Sequence, residues 1–188
     1  MTTFLRVYLP LTLLSLLTWV VSDWLEPKPF NPGVAKNDQR PDTFAGKFTK
    51  ITMSDSGKPK NQLNAEAMVH YKKHNRTELA RPVFVVFDED QPPWRVASET
   101  GVITASGKKL FLGGTVHITR DSAPGIKPIV INTRDLNITP KKNFAETDEF
   151  AELISNRNRI SGVGLKLYFG EQKKVRLLSN VRGKYEAR

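Results

Sequence analysis

Histidine is the side chain best suited to metal binding and to proton transfer near neutral pH, and the chain contains three, His70, His74 and His117. The spacing of His70 and His74 would suit a metal pair on one face of a helix. The residues around His70 alternate between apolar and polar, which predicts a strand end followed by a turn. That geometry separates the two rings, so we predict that they form no metal site.

The other chemical motifs lack the supporting elements that their chemistry needs. Ser106-Gly-Lys-Lys109 has the letters of a Ser-x-x-Lys motif, but its partner motifs are missing. Gly162-Val-Gly164 is not followed by a helix, as a nucleotide-binding loop requires. Asp88-Glu-Asp90 is more typical of a solvated turn than of a cation site. Because cysteine is absent and no nucleophile has a suitable base, we predict no catalytic residue, no cofactor and no enzymatic activity.

The formal charge is +10, from 29 Lys and Arg against 19 Asp and Glu. Such an excess favours an anionic partner, which includes nucleic acid, phosphorylated lipid and acidic protein. A soluble surface without a partner would show the same balance. The basic residues are most concentrated between Lys166 and Arg188. Charge alone leaves these alternatives open.

An apolar run from Phe4 to Leu25 dominates the N-terminus. About 22 helical residues extend roughly 33 Å, enough for a hydrocarbon core of ~30 Å if Arg6 reaches the headgroups. Trp19 and Trp24 suit the opposite interface. We predict an uncleaved transmembrane helix, with a cleaved signal peptide and a buried core helix as alternatives. The flanking charges place the N-terminus in the cytoplasm and the rest of the chain across the membrane.

A proline-rich connector follows this run. Three prolines and a glycine between Glu26 and Gly33 predict an extended, semi-stiff segment. We assign 1–25 to the transmembrane helix, 26–41 to the linker and 42–188 to one folded domain. A domain of this length can bury a core without disulfides or metals.

Within the predicted domain, apolar side chains recur at every second position, which predicts strands with one buried and one solvated face. The clearest segments are 63–71, 165–169 and 175–185. Shorter apolar runs lie between them, at 83–87, 94–96, 110–112, 116–118, 129–131 and 136–138. In 83–87 the apolar residues occupy both alternating sets, so we expect that strand to be covered on both faces.

Clusters of Gly, Pro, Ser and Asp separate these runs and predict turns. They lie at 55–57, 88–93, 106–107, 113–114, 123–125, 161–162 and Gly170. Many short strands with regular turns predict a sandwich, a jelly roll or a barrel. The segment 144–154 is compatible with a helix capped by Thr147 and equally with a short strand that begins at Glu149.

A series of motifs follows the N-terminal span in a specific order along nearly the whole chain. The motifs are Asp55-Ser-Gly57, Leu63-Asn-Ala-Glu-Ala-Met-Val-His-Tyr71, Arg81-Pro82, Trp94-Arg-Val-Ala-Ser-Glu-Thr-Gly101, Leu110-Phe-Leu-Gly-Gly-Thr-Val-His-Ile118, Thr133-Arg-Asp-Leu136, Ala145-Glu-Thr-Asp148, Ser161-Gly-Val-Gly-Leu165 and Leu178-Ser-Asn-Val-Arg-Gly-Lys-Tyr185. In this order they resemble the LptC family of bacterial lipopolysaccharide export proteins. One departure is Arg157-Asn-Arg159, which is more basic than we expect for the family.

The resemblance implies an all-β fold, an open β-jelly roll of the OstA-like type, preceded by a single transmembrane helix in the bacterial inner membrane. The domain would lie in the periplasm. There it would accept lipopolysaccharide from the LptB–LptF–LptG transporter and pass it to LptA through an apolar groove. The strand edge at 44–53 would join the transporter, and the edge at 175–185 would join LptA. The expected edge residues are Phe44, Phe48, Leu177, Val181 and Tyr185.

An apolar groove would make this transfer physically feasible. Each methylene exposed to water costs about 0.8 kcal/mol, so one twelve-carbon acyl chain costs roughly 9 kcal/mol. The inward faces of strands remove that cost without any catalytic group. By position, we expect Phe48, Leu79, Val175 and Tyr185 to line the groove, although ordinary core packing is an equally open reading for each.

The basic residues of the C-terminal strand have two alternative roles. They are Lys173, Lys174, Arg176, Arg182 and Lys184. These cations would attract lipid phosphates, or they would protect an open sheet edge from unwanted pairing.

Two other functions compete with lipid transfer. A membrane-tethered scaffold would bind proteins only, by strand addition, and would fill its groove with its own side chains. A nucleic-acid-binding β-barrel is disfavoured by the predicted anchor and by the lack of aromatic residues clustered among the basic ones, so we expect no nucleic-acid partner.

Overall fold

The computed structural model describes residues 41–88, 90–104, 107–169 and 173–185. These residues form strands joined by turns and by short 3-10 helices. The strands are β1 (Thr43–Met53), β2 (Pro59–Tyr71), β3 (Arg76–Ala80), β4 (Val83–Val86), β5 (Trp94–Thr104), β6 (Lys109–Arg120), β7 (Ile129–Thr139), β8 (Phe144–Ser155), β9 (Asn158–Tyr168) and β10 (Lys174–Lys184). The all-β prediction is confirmed. The predicted transmembrane helix at 1–25 lies outside the described residues, among which no helix has the length and apolarity to cross a membrane.

All these strands belong to one antiparallel sheet in which all sequence neighbours except β3 and β4 pair. The order is β1-β2-β3-β5-β6-β7-β8-β9-β10, and β4 lies with β3 between β2 and β5. β3 and β4 therefore occupy one strand position in the sheet, and this position is interrupted at Arg81 and Pro82. Within the described part of the chain, β1 pairs only with β2 and β10 pairs only with β9. Both edges of the sheet are thus open.

A line of backbone irregularities crosses the sheet near the middle of its rows, and we call it the crease. Register shifts, which mark β-bulges, occur at 98–100, 112–115, 132–137, 147–150 and 179–182. Residues with a positive φ continue the line at Lys47, Arg81 and Gly164. Each such bulge bends its strand and increases its twist. Because the bulges are aligned, the whole sheet folds across its strands.

Hydrogen bonds connect the crease between neighbouring rows. The Gly114 N–H donates to Asp135 Oδ1 at 2.9 Å, and the Thr115 N–H donates to Glu99 Oε1 at 3.2 Å. Gly114 has a φ of +81°, and a Cβ added there would lie 2.5 Å from a Glu99 oxygen. Hydrogen bonds from the side chain and the backbone N–H of Thr115 hold the pKa of the Glu99 carboxyl below its ordinary value.

The crease divides the sheet into two layers. Layer A holds β4, the N-terminal halves of β2, β5, β7 and β9, and the C-terminal halves of β1, β6, β8 and β10. Layer B holds β3, the C-terminal halves of β2, β5, β7 and β9, and the N-terminal halves of β1, β6, β8 and β10. The layers touch where the Trp94 ring of layer A meets the Phe169 ring of layer B, with centroids 5.8 Å apart. The interior between the layers is the protein core.

The core is densely filled along the middle rows. Val96, Ile118 and Ile131 of layer A and Leu112 and Leu167 of layer B are all fully buried in one apolar cluster. β4 is half-buried at Val83 and buried at its other three positions, which agrees with the expected cover on both faces, whereas Phe87, directly after β4, is 36% exposed. Burial of these side chains is the main favourable contribution to folding.

The segment 144–154, for which a helix and a strand were both open, is strand β8, and it begins at Phe144 rather than at Glu149. One detail of the predicted pattern needs correction. The pairs 113–114 and 161–162 were expected to be turns, but they lie inside β6 and β9. Glycines mark bulges and close approaches in strands as well as turns, and here Gly114 marks the crease.

Candidate functional site

The two open edges of the sheet form the candidate functional site, and the first of them is β1. Its register pairs Phe44 with Val69 and Phe48 with Ala65. Phe48 is half-buried and packs against the core, whereas Phe44 is 81% exposed. The predicted edge residues Phe44 and Phe48 therefore differ in exposure, and only Phe48 reaches the interior.

A small crevice lies between the two layers near β1. Lys50 and Leu63 of layer A and Ile103 and Leu110 of layer B are among its lining residues, and its volume is about 60 Å³. Pockets for drug-sized ligands have volumes of roughly 300–1,000 Å³. An acyl chain could enter this end of the interior only if the layers moved apart.

A wider depression of about 310 Å³ lies at the crease, where Phe48 forms part of the wall together with Thr49 and Asn64. The Arg81–Glu66 ion pair borders it. Phe48 is therefore reachable from outside the protein.

The second open edge is β10. Val175 pairs with Leu167 and Leu177 pairs with Leu165, so both side chains face the interior and are half-buried against the core. Beyond the crease, a Cβ added to Gly162 would meet Val181 Cγ2 at 3.4 Å. Val181 is 55% exposed and Tyr185 is 69% exposed. The inward face of β10 is thus covered in layer B and open in layer A.

This open part continues on β8 and β9 as an apolar surface. Leu153 pairs with Ile160, which pairs with Gly183, and a Cβ on Gly183 would lie 3.0 Å from the Tyr185 ring. We call the surface formed by Leu153, Ile160, Val181 and Tyr185 the C-terminal platform. Leu153 and Ile160 are half-buried, so the platform passes continuously from the core to solvent.

The four predicted lining residues do not come together at one place. Phe48 lies on β1, whereas Val175 lies on β10 and Tyr185 directly follows it, at the opposite end of the sheet. Leu79 is 2% exposed inside the core, so it could contact a ligand only after the layers separate. Their role as groove lining stays a prediction.

Sequence reasoning did not identify Leu153 or Ile160 as site residues. The segment containing Leu153 was compatible with a helix, and Ile160 follows the basic stretch 157–159. In a strand, Ala151 and Leu153 lie on one face, and so do Ile160 and Gly162, because each pair is two positions apart. This pattern could have identified both residues once the two segments were treated as strands.

An ion pair between the layers closes the interior near the start of β10. Lys173 Nζ lies 2.8 Å from Asp88 Oδ2. Desolvation raises the pKa of Asp88, but the hydrogen bond from Lys173, backbone N–H donors and the Lys173 charge together outweigh it and hold that pKa below its ordinary value. Lys173 was expected to contact lipid phosphate, and in this structure its charge is already compensated.

The other predicted phosphate contacts lie on the outer face of β10. Lys174 pairs with Tyr168, Arg176 with Lys166, Arg182 with Ser161 and Lys184 with Arg159. Their side chains point away from the apolar inner face that Val175 and Leu177 belong to, because successive residues of a strand face opposite sides. Any phosphate bound by them would lie at the rim or outside the interior.

The three histidines do not cluster. His70 Nδ1 lies 2.9 Å from Thr77 Oγ1, and His117 Nδ1 lies 2.9 Å from Asn132 Oδ1, while His74 belongs to a 3-10 helix. Among the described residues, no group of three or more His, Asp or Glu side chains could hold a metal ion.

Comparison with known proteins agrees with this architecture. The crystal structure of LptH, the LptA homologous periplasmic component of the lipopolysaccharide transport device from Pseudomonas aeruginosa, is similar with a TM-score of 0.52 and 10% identity. The match covers 68% of this chain and 95% of LptH, and at this identity it shows a shared fold alone. No curated protein matches by sequence. The family model described as "Lipopolysaccharide-assembly, LptC-related" matches residues 9–186, so the chain belongs to the LptC family.

Proposed function

We propose that this chain is a non-enzymatic component of the lipopolysaccharide transport machine. It accepts lipopolysaccharide from the inner-membrane LptB–LptF–LptG transporter and passes it to periplasmic LptA. The N-terminal helix anchors it in the inner membrane, and the β1 edge docks on the transporter while the β10 edge docks on LptA. Family membership and the LptA-like fold support the general role in lipopolysaccharide transport.

The open C-terminal platform is the observation that supports the lipid path best. Val181 and Tyr185 are more than half exposed, yet both lie on the face that continues into the core through Leu153 and Ile160. Apolar side chains of this kind at an open sheet edge lower the cost of holding an acyl chain in water. The platform would also continue across the junction if a partner strand paired with β10.

A protein-only scaffold is the second candidate, and the filled core favours it. On the central strands, the inward side chains of Val96, Leu112, Ile118 and Ile131 are all fully buried. The crevice near β1 is far smaller than an acyl chain needs. In that case the two edges would bind proteins, and the platform would be covered by the partner.

Site-specific photo-crosslinking separates these two functions. A photo-reactive amino acid at Phe48 or at Val175, in cells with native lipopolysaccharide, tests the two ends of the proposed path. The same amino acid at Val130 is the control, because Val130 is partly exposed and faces outward on β7, beside Ile154.

Lipid transfer predicts lipopolysaccharide adducts at Phe48 and Val175 and none at Val130. Adducts with protein alone at both test positions would support the scaffold and reject lipid transfer. Equal lipid adducts at all three positions would show only non-specific contact with membrane lipid, and would also count against the proposed path.

A further inference from the structure

The outer face of the last three strands has an ordered pattern of charge. On β8, Glu146 pairs with Lys166 of β9, which in turn pairs with Arg176 of β10. Lys166 Nζ lies 3.9 Å from Glu146 Oε2. In layer A, Arg159 of β9 donates to Glu152 of β8 at 2.8 Å. The carboxylates of β8 therefore compensate the cations of β9.

The cations of β10 have no such compensation within the described residues. Arg176 faces Lys166 and Lys184 faces Arg159. Like charges at directly opposed positions of a sheet repel each other and destabilise the pairing. The other side of β10 is the open edge, so a carboxylate could reach these cations from a further strand placed there.

The inner face of β10 specifies the rest of such a strand. Val175, Leu177 and Val181 alternate with the cations along β10, so a paired strand would place every second side chain beside them. Apolar residues at those positions would continue the core and the C-terminal platform. The complementary strand is amphipathic, with acidic residues on its outer face and apolar residues on its inner face.

A second copy of this chain does not offer such a strand at either edge. β1 (Thr43–Met53) contains two lysines and no acidic residue, and its outer face shows Phe44, Thr49 and Ile51. β10 (Lys174–Lys184) also contains no acidic residue. Pairing between β10 and either edge of another copy would leave the cations uncompensated or bring them together.

We propose that Arg176 and Lys184 select, for the β10 edge, a partner-protein strand that carries carboxylates on its outer face, and that they disfavour pairing between copies of this chain. This inference rests on the proposed docking function of that edge. It adds the chemical class of the partner strand.

Synthetic strands test the selection directly. Fluorescent peptides with the length of β10 would alternate valine with glutamate, glutamine or lysine. Their affinity for the full chain in detergent is measured by fluorescence anisotropy at about 0.05 M and about 0.5 M salt. We expect the glutamate peptide to bind roughly tenfold more tightly than the glutamine peptide at low salt, as a few exposed ion pairs allow. The lysine peptide should bind weakest, and high salt should reduce these differences.

Variants with matched charge changes identify the cations responsible. The double variant Arg176→Gln/Lys184→Gln should lose the preference for glutamate. Arg176→Glu/Lys184→Glu should reverse it in favour of lysine. The double variant Lys141→Gln/Lys142→Gln removes the same charge from the exposed 3-10 helix that follows β7 and should keep the wild-type preference.

Each other outcome overturns the inference in a recognisable way. Equal binding of the glutamate and glutamine peptides would reject charge selection but keep the β10 edge as a docking strand. Binding of none of the peptides would reject edge docking as well, without affecting lipid crosslinks at Phe48. Unchanged peptide preference in Arg176→Gln/Lys184→Gln, with loss of lipopolysaccharide crosslinking at Val175, would assign these cations to lipid phosphate.

Discussion

The central strands of the sheet and its two edge strands carry similar apolar side chains but bury them to very different extents. Ile118 on β6 is completely buried between rows on both sides. Val181 on β10 also faces inward, but it is 55% exposed, because among the described strands none pairs with the outer edge of β10 and layer B does not cover it. The same kind of apolar alternation therefore provides stability in the middle and leaves an exposed apolar surface at the edge.

The largest expected difference between the two regions is in core stability. Ile118→Ala should lower the free energy of unfolding by about 2–5 kcal/mol, because it removes buried methyl groups and leaves a cavity. Val181→Asp should change stability by only about 1 kcal/mol or less, since its side chain is largely exposed, but it should abolish co-purification of an LptA-type partner. Urea unfolding and affinity purification measure the two effects. A Val181→Asp protein that is folded and still retains its partner would contradict the functional half of the comparison.

The crease beside β10 should show an intermediate effect. Gly164 has a φ of +78°, and an added Cβ would lie 2.8 Å from Leu178 Cδ1. Gly164→Ala should therefore cost about 1–3 kcal/mol in unfolding free energy. Gly46→Ala on β1 is the control, because nothing lies within 4 Å of its added Cβ, and it should cost no more than about 0.5 kcal/mol. Equal costs at both positions would show that the crease does not constrain the β10 edge.

The smallest expected effect concerns the Asp88–Lys173 ion pair, which joins the filled interior to the start of β10. The lowered pKa of Asp88 means that its contribution to stability is present above the unfolded pKa of about 3.9 and is lost as pH falls through the folded pKa. Asp88→Asn should lower the unfolding free energy by about 1 kcal/mol near pH 6, and the gap from wild type should close in acid.

Thermal unfolding between pH 6 and pH 3 measures this gap. Asp121→Asn, at an exposed position after β6, is the matched control and should follow wild type throughout. If the stability difference between Asp88→Asn and wild type stays constant down to pH 3, Asp88 contributes through side-chain packing rather than through its charge.

Much of the fold was predictable because strand alternation and turn residues are local signals. The alternation at 63–71 and 165–169 predicted β2 and β9, and 55–57 predicted the turn between β1 and β2. The division of β6 was predicted wrongly, because Gly113 and Gly114 have the composition of a turn. Only pairing with β5 and β7 shows that the strand continues through them.

The site was less predictable than the fold. Phe48, Val175 and Tyr185 were expected on the edge strands. Phe48 lies on β1 and Val175 on β10, whereas Tyr185 directly follows β10. Their exposure depends on which strand halves the other layer covers. That relation joins residues far apart in sequence, such as Asp88 with Lys173 and Trp94 with Phe169, and no local pattern contains it.

The sequence by itself determined that this domain is a chain of amphipathic strands with a basic C-terminal strand, because side-chain alternation and charge are properties of neighbouring residues. Only the tertiary structure decided that aligned bulges fold the sheet into two layers, that Leu79 lies inside the core, and that Val181 and Tyr185 remain open. The physical reason is that burial depends on the partner surface, and here that surface is supplied by residues distant in the chain.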